Sequence, residues 1–272
     1  CYAAAHQDQL LYRKAWPVEG KDLVAGFVQK LPLFFGLEGT LKRIFNNRVQ
    51  SASPKVGQLP FEQRVIGSNF LAVGPERSAD GATRVAVNSH QPWSGPVAWY
   101  EAHLISQEGQ DVYGGLFPGS PIIFLGHNRN LAWGHTVNEP YLIDIFELEI
   151  NPKNPNQYRL DGKWKNLEVR KVPIEVKIWK NFRWTVKREA LWSVYGPAMR
   201  NEKGVFAIRY AGIGNIEAIE QWYRMGKAKN LAEFKQAMKI HAIPMFNTGY
   251  ADKEGHLYYV YNGLLPQRDP NY

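Results

Sequence analysis

Gly67-Ser68-Asn69-Phe70-Leu71-Ala72-Val73-Gly74 joins two unlike parts of the chain. Before it lies a polar, proline-bearing stretch, Ser51 to Arg64; after it come strand-like runs. A serine at such a junction would become a new N-terminus if the Gly67–Ser68 bond broke. It would then carry a hydroxyl nucleophile and, in its own α-amino group, a base. A freed α-amino group titrates near pH ~8, so a useful fraction is neutral under physiological conditions. Pairing a hydroxyl with an N-terminal amine is a recognised way to activate a weak nucleophile. Gly-Ser-Asn alone also describes an ordinary loop-to-strand turn, so the rest of the chain must decide.

Upstream, residues 1–47 read as helical. Asp22-Leu-Val-Ala-Gly-Phe-Val-Gln-Lys30 carries apolar residues at helical spacing, Pro32 and Gly36 punctuate it, and Leu37 to Phe45 continues as a short helix. Residues 48–67 lose all periodicity and read as a spacer. Residues 68–272 are β-rich. Strands are expected at 69–73, 83–88, 97–104, 121–125, 130–135, 143–150, 169–179, 183–193, 205–210 and 256–261, with a turn cluster at 151–157. Helices are expected at 216–227 and 231–241. Strands, then helices, then strands argue α+β rather than an alternating parallel sheet.

The composition narrows the function classes. Hydrophobic residues make up 44% of the 272, enough for a sizeable core. The formal charge is +8, but basic residues alternate along strands, as in Lys171-Val-Pro-Ile-Glu-Val-Lys177, and no basic helix appears. That pattern speaks against nucleic acid as a partner. No apolar run reaches the length of a membrane span. Cys1 is the one cysteine, so no internal disulfide can form. The chain starts without Met and ends at Pro266-Gln-Arg-Asp-Pro-Asn-Tyr272 in mid-loop, which suggests a fragment.

Several hydrolase signatures are missing: Gly-x-Ser-x-Gly, His-Glu-x-x-His and Cys-x-x-Cys. A Gly-rich phosphate loop is missing too, which disfavours nucleotide cofactors. Cys1-Tyr-Ala-Ala-Ala-His6 reads as mid-helix, a poor setting for a terminal nucleophile. His90, in Val87-Asn-Ser-His-Gln-Pro-Trp93, reads as a turn histidine at a strand end or as a partner of the nucleophile. His127 and His135 lack a third convincing ligand and read as structural. Asn247, in Pro244-Met-Phe-Asn-Thr-Gly-Tyr-Ala-Asp252, stands at a strand entrance as a turn residue or as an amide donor to an oxyanion. Trp93, Trp99, Tyr100 and Phe246 suit an apolar acyl group, and strand packing explains them as well.

The ordered series is more specific than any of its parts. Gly67-Ser-Asn69 is followed by Asn88-Ser-His-Gln-Pro-Trp93, Trp99-Tyr-Glu-Ala-His-Leu104 and Phe117-Pro-Gly-Ser-Pro121. Leu131-Ala-Trp-Gly-His-Thr136, Asp144-Ile-Phe146, Asn247, Tyr250-Ala-Asp252 and Leu265-Pro-Gln-Arg268 complete it. This series resembles the penicillin acylase family of N-terminal nucleophile hydrolases, in the branch of acyl-homoserine-lactone, aculeacin and cephalosporin acylases.

The resemblance implies a partial αββα sandwich and a precursor that cuts itself between Gly67 and Ser68. It makes residues 1–47 the end of an α chain, 48–67 a spacer and 68–272 the start of a β chain, with the two chains staying together. Ser68 is then nucleophile and α-amino base, His90 its positioning partner, and the Asn247 amide with the Val137 backbone N–H the oxyanion hole. Arg268 matches an arginine near the active centre. No added cofactor is implied for self-cleavage. Asp144 matches one acid of the family's calcium sites, but Asn138-Glu-Pro-Tyr-Leu142 departs from the acid-rich version, which counts against a bound calcium. The implied substrate is a small N-acyl amide and the implied location periplasmic or secreted. The competing reading is an unprocessed, binding-only relative.

Overall fold

The computed structural model describes residues 17–34, 37–45, 67–94, 97–179 and 182–268. The Cys1 reading, the first sixteen residues of the expected helical segment and all of the spacer but Gly67 lie outside these residues. Within them sheets dominate: two large antiparallel sheets, a three-stranded sheet, a hairpin and few helices.

The hairpin comes first. β1 (Ser68–Val73) pairs antiparallel with β2 (Arg84–Ser89), Ser68 opposite Ser89. It packs on a six-stranded sheet of order β16-β15-β6-β5-β4-β3. Those strands are β3 (Tyr100–Ile105), β4 (Asp111–Leu116), β5 (Leu125–His127), β6 (Leu131–Thr136), β15 (Asn247–Asp252) and β16 (Leu257–Tyr261).

The pleat explains why the two layers meet. Side chains alternate across a strand, so β6 and β15 present two different faces. On one face the register partners are small: Gly134 with Gly249 and Ala132 with Ala251. The Phe70 ring fills the space those glycines leave. A Cβ on Gly249 would overlap that ring, and one on Gly134 would sit 2.7 Å from Val87 Cγ2 and 2.8 Å from Phe70 Cδ2. The opposite face carries Trp133 and Tyr250, both fully buried. Helices α3 (Ala218–Lys227) and α4 (Leu231–Met238) supply Trp222, Met225 and Phe234 to that core. Asn230 caps α4, its side chain accepting from Glu233 N at 2.9 Å. Hairpin, sheet and helices thus form three layers of an αββα sandwich.

The second large sheet has order β11-β12-β13-β14-β7. It contains β7 (Ile143–Leu148), β11 (Glu168–Trp179), β12 (Phe182–Ser193), β13 (Gly196–Asn201) and β14 (Gly204–Tyr210). Tyr158 and Leu167 tie it to the three-stranded sheet β8 (Ile150–Asn151), β9 (Asn154–Leu160) and β10 (Lys163–Asn166). Of the upstream helices, α1 (Gly20–Phe34) sends Phe27 against Phe124 and Trp222. Helix α2 (Leu37–Phe45) buries Ile44 against Phe206 and Ile208 of β14.

Some expected elements change. Pro32 lies inside α1 rather than ending it. Residues 121–124 are a bend, not a strand, because Ile122, Ile123 and Phe124 all turn into the core. Residues 154–157, expected in a turn cluster, begin strand β9, because burial of Tyr158 outweighs the turn preference of Asn and Pro. Strands β4, β10 and β13 lie where none was expected.

Candidate active site

Two anchors fix where Ser68 sits. Phe70, two residues on, lies over Gly134 and Gly249. At the far end of β1, Gly74 faces Leu257 and Pro75 faces Gly255, at the turn joining β15 to β16. The strand β1 therefore runs along β15 in the same direction. Ser68, on the same face as Phe70, comes to the end of the sheet where Asn247 pairs with Thr136.

At that end Gly67, Ser68 and His90 are together. The Gly67 carbonyl accepts the His90 backbone N–H at 3.0 Å, continuing the hairpin ladder, and accepts the Ser68 hydroxyl at 2.5 Å. The serine oxygen thus lies against the carbonyl group of the Gly67–Ser68 bond. The His90 ring leans over Gly67, where a Cβ would meet Nδ1 at 3.1 Å. Its Nε2 lies 3.4 Å from the side-chain nitrogens of both Asn69 and Asn88. Both amide nitrogens are donors, so Nε2 faces them as the acceptor. No hydrogen bond joins the His90 ring to Ser68 Oγ among the described residues.

Asn247 stands at the start of β15 with its side chain held from two sides. Its Nδ2 donates to Thr136 Oγ1 at 3.0 Å, and its Oδ1 accepts from the Tyr259 hydroxyl at 2.7 Å. An amide nitrogen carries two N–H groups, so one remains after Thr136 is served. Val137 follows Thr136 at the end of β6, one residue beyond the Thr136–Asn247 pair.

A buried asparagine links the two candidate donors. Asn138 Oδ1 accepts from Phe246 N at 2.8 Å, and its Nδ2 donates to Asn262 O at 2.8 Å. Asn262 in turn donates to Ile243 O and Met245 O. This lattice holds Phe246 at φ 100°, a left-handed backbone that costs a bulky residue energy and is kept where surroundings enforce it. Residue 138 adjoins Val137 and residue 246 adjoins Asn247, so the clamp joins the two chain segments that carry the candidate donors.

The helix-facing side is closed by His135. Trp222 Nε1 donates to its Nε2 at 3.0 Å, and Nδ1 meets Thr248 Oγ1 at 3.1 Å. Burial is the larger influence and pushes the imidazole down to about 4, while a hydrogen bond with the Asn247 backbone works the other way. His127 pairs with Ala132 and so occupies the other face, its ring beside Tyr113. The two histidines share no site.

Arg268 and Asp144 find each other instead. Arg268 donates to Asp144 Oδ1 at 2.9 Å and 3.2 Å, donates to Tyr141 O, and lies over the Tyr141 ring. Neither bonds to Ser68, His90 or Asn247 among the described residues. Asp144 is thus engaged by a guanidinium, and the Asn138 side chain by two backbone groups. Asp252, Glu254 and His256 also cluster, but Asp252 serves its own turn, accepting the backbone N–H groups of Glu254 and His256 and the Tyr250 hydroxyl. Of the aromatics suited to an acyl group, Trp99 stacks on Phe117 at 4.5 Å and Phe246 lies against His135, while Trp93 is fully exposed.

Sequence reading alone overlooked Thr136, Asn138 and Tyr259. Asn138, placed beside the Trp-Gly-His-Thr motif, carried a weak signal; Tyr259 carried none without the strand register.

A penicillin amidase family profile matches residues 3–272. The acyl-homoserine lactone acylase PvdQ of Pseudomonas savastanoi pv. phaseolicola is 36% identical over 211 residues, 75% of this chain and 27% of that protein. The PvdQ of Pseudomonas putida is 30% identical over 82% of this chain and 30% of its own length. Aculeacin-A acylase of Actinoplanes utahensis is 30% identical over 74% and 26%. Among solved structures, the thermostable penicillin G acylase from Alcaligenes faecalis matches with a TM-score of 0.66 at 27% identity, over 76% of this chain and 37% of that one. The matched region thus spans under a third of these curated relatives. With its hairpin, sheet and helix layers and the serine at the hairpin's start, this chain belongs to the penicillin amidase family.

Proposed function

We propose that the complete protein is an N-acyl amidohydrolase that cuts itself between Gly67 and Ser68. The carrying observation is the seating of Ser68 at the start of β1, over the Asn247–Thr136 end of the sheet. In self-cleavage, Ser68 Oγ attacks the Gly67 carbonyl carbon and the amide nitrogen leaves as the Ser68 amine. Water then hydrolyses the resulting ester, giving a Gly67 carboxylate and free Ser68. The His90 backbone N–H, already on the Gly67 oxygen, supports the charge that gathers there.

The mature reaction repeats this chemistry on a substrate. The Ser68 amine takes the hydroxyl proton through water as Oγ attacks an amide carbonyl, then passes it to the departing amine. Asn247 and the Val137 N–H receive the developing oxyanion. Water frees the acid. Residues 1–47 and 68–272 belong to the two chains of one mature enzyme, and residues 48–67 to the segment removed. Because the curated relatives named above include two acyl-homoserine lactone acylases, an acyl-homoserine lactone is the first substrate to try, and export from the cytoplasm the location to test.

The test is the complete gene product assayed with phenylacetyl and glutaryl amides, short and long acyl-homoserine lactones, and a lipopeptide, with chain masses measured in parallel. Release of acid from one class by a protein split before Ser68 is expected. An intact, inert chain would favour the binding-only reading.

A further inference from the structure

We propose that Tyr259 is a positioning residue for Asn247, fixing which end of its side-chain amide faces the reacting carbonyl. This rests on Asn247 serving as an oxyanion donor. The oxygen and nitrogen ends of an asparagine amide have nearly the same shape, so packing alone hardly distinguishes them. Hydrogen-bond partners must do so. Thr136 cannot, because an aliphatic hydroxyl donates and accepts with similar ease. The phenol of Tyr259 is the better donor and the poorer acceptor, since its oxygen lone pair is drawn into the ring. Its 2.7 Å contact with Asn247 Oδ1 therefore selects the oxygen. The nitrogen is then turned to Thr136 at 3.0 Å, with its second N–H still to offer.

The sheet register makes this contact available. Tyr259 pairs with Gly249 across β15 and β16, which puts Asn247 on the diagonal, two residues along on the same face. Diagonal neighbours on a sheet lie within reach of an aromatic side chain. Tyr259 is 64% exposed, and Gly249 presents no side chain against it. Its hydroxyl can be removed with little effect on packing.

The experiment uses the complete, self-processed protein and its best amide substrate. Tyr259→Phe should lower kcat about three- to tenfold, the factor of one ordinary hydrogen bond, with KM and melting temperature nearly unchanged. Asn247→Ala should lower kcat by roughly 10²–10³. In the Asn247→Ala background, Tyr259→Phe should then have no further effect, because its target is gone. Wild-type kcat in Tyr259→Phe, or an equal loss in both backgrounds, would overturn the positioning role. Full activity in Asn247→Ala would overturn the oxyanion assignment itself, and the Tyr259 role with it. Chain masses in every variant separate failed self-cleavage from failed turnover.

Discussion

Trp222 donates its indole N–H to His135 Nε2, and that single bond fixes the ring's tautomer. An indole nitrogen can only donate, so Nε2 must be bare and the proton sits on Nδ1, facing Thr248. His135 lies between Gly134 and Thr136, and Thr248 between Asn247 and Gly249. The helix layer therefore grips β6 and β15 directly behind the residues that seat the hairpin and hold the Asn247 amide.

That grip depends on a neutral ring, which gives stability a pH dependence of known sign. Unfolded, His135 titrates near 6.5; folded, burial holds it at about 4. Between these values the unfolded chain binds the extra proton, so stability rises with pH across the window and is level above it. The contribution is about 3 kcal/mol over that range. His135→Gln keeps one donor and one acceptor but cannot titrate. Urea midpoints of the complete protein from pH 4.5 to 7.5 should slope more steeply in wild type than in this variant. Parallel slopes would show that His135 is not held neutral.

The Phe70 seat makes a second expectation. Gly249→Ala puts a methyl group into the ring of Phe70 and must lift the hairpin from the sheet. A cost of about 1–3 kcal/mol is expected from such overpacking, together with slower cleavage at Gly67–Ser68. Gly39→Ala is the matched control. It lies in α2 with open space around it, so the change should be neutral or stabilising by up to about 1 kcal/mol. Unimpaired self-cleavage in Gly249→Ala would mean that the seat does not position Ser68.

Removing the Ser68 hydroxyl, or blocking its amine, separates two steps. Ser68→Ala should leave the 67/68 bond whole by mass, since no oxygen remains to attack Gly67. In mature wild-type protein, quantitative acetylation of the new terminus should abolish amide hydrolysis while leaving the chains and their association unchanged. Activity surviving complete capping would remove the amine as the base, even if Ser68 stayed the nucleophile.

What could be read in advance follows physical lines. That Ser68 and Asn247 stand at strand entrances was legible, because each opens an apolar or strand-forming run inside a distinctive local motif. Strand β4 was not, because Gly114-Gly115 dilutes its strand signal; at Gly114 the Leu125–Gly126 main chain approaches too closely for a side chain, and at Gly115 the Trp99 ring takes the space. Strand β9 was hidden by Asn and Pro, whose turn preference yields once Tyr158 is buried. The partners of Asn247 were beyond reach for another reason. Thr136 lies 111 residues away in sequence and Tyr259 meets it diagonally, so only the register brings them together. The same applies to Arg268 and Asp144, matched separately to a family arginine and a family acid, which pair across 124 residues of sequence.

Asn138 gives the last test of the site. Its side chain satisfies the Phe246 N–H and the Asn262 carbonyl at once, and it is 5% exposed. Asn138→Ala would leave both backbone groups without that partner, at about 1–3 kcal/mol for each that stays dry. It would also release the left-handed bend at Phe246 that delivers Asn247. The expected result is a lower melting temperature together with a fall in kcat, measured well below that temperature, of at least tenfold, as when an oxyanion donor drifts out of place. KM should change little, because the buried Asn138 side chain bonds to backbone groups and not to either candidate donor. A variant that melts early but turns over at the wild-type rate while folded would show that the clamp stabilises the sheet end without setting the spacing of Val137 and Asn247.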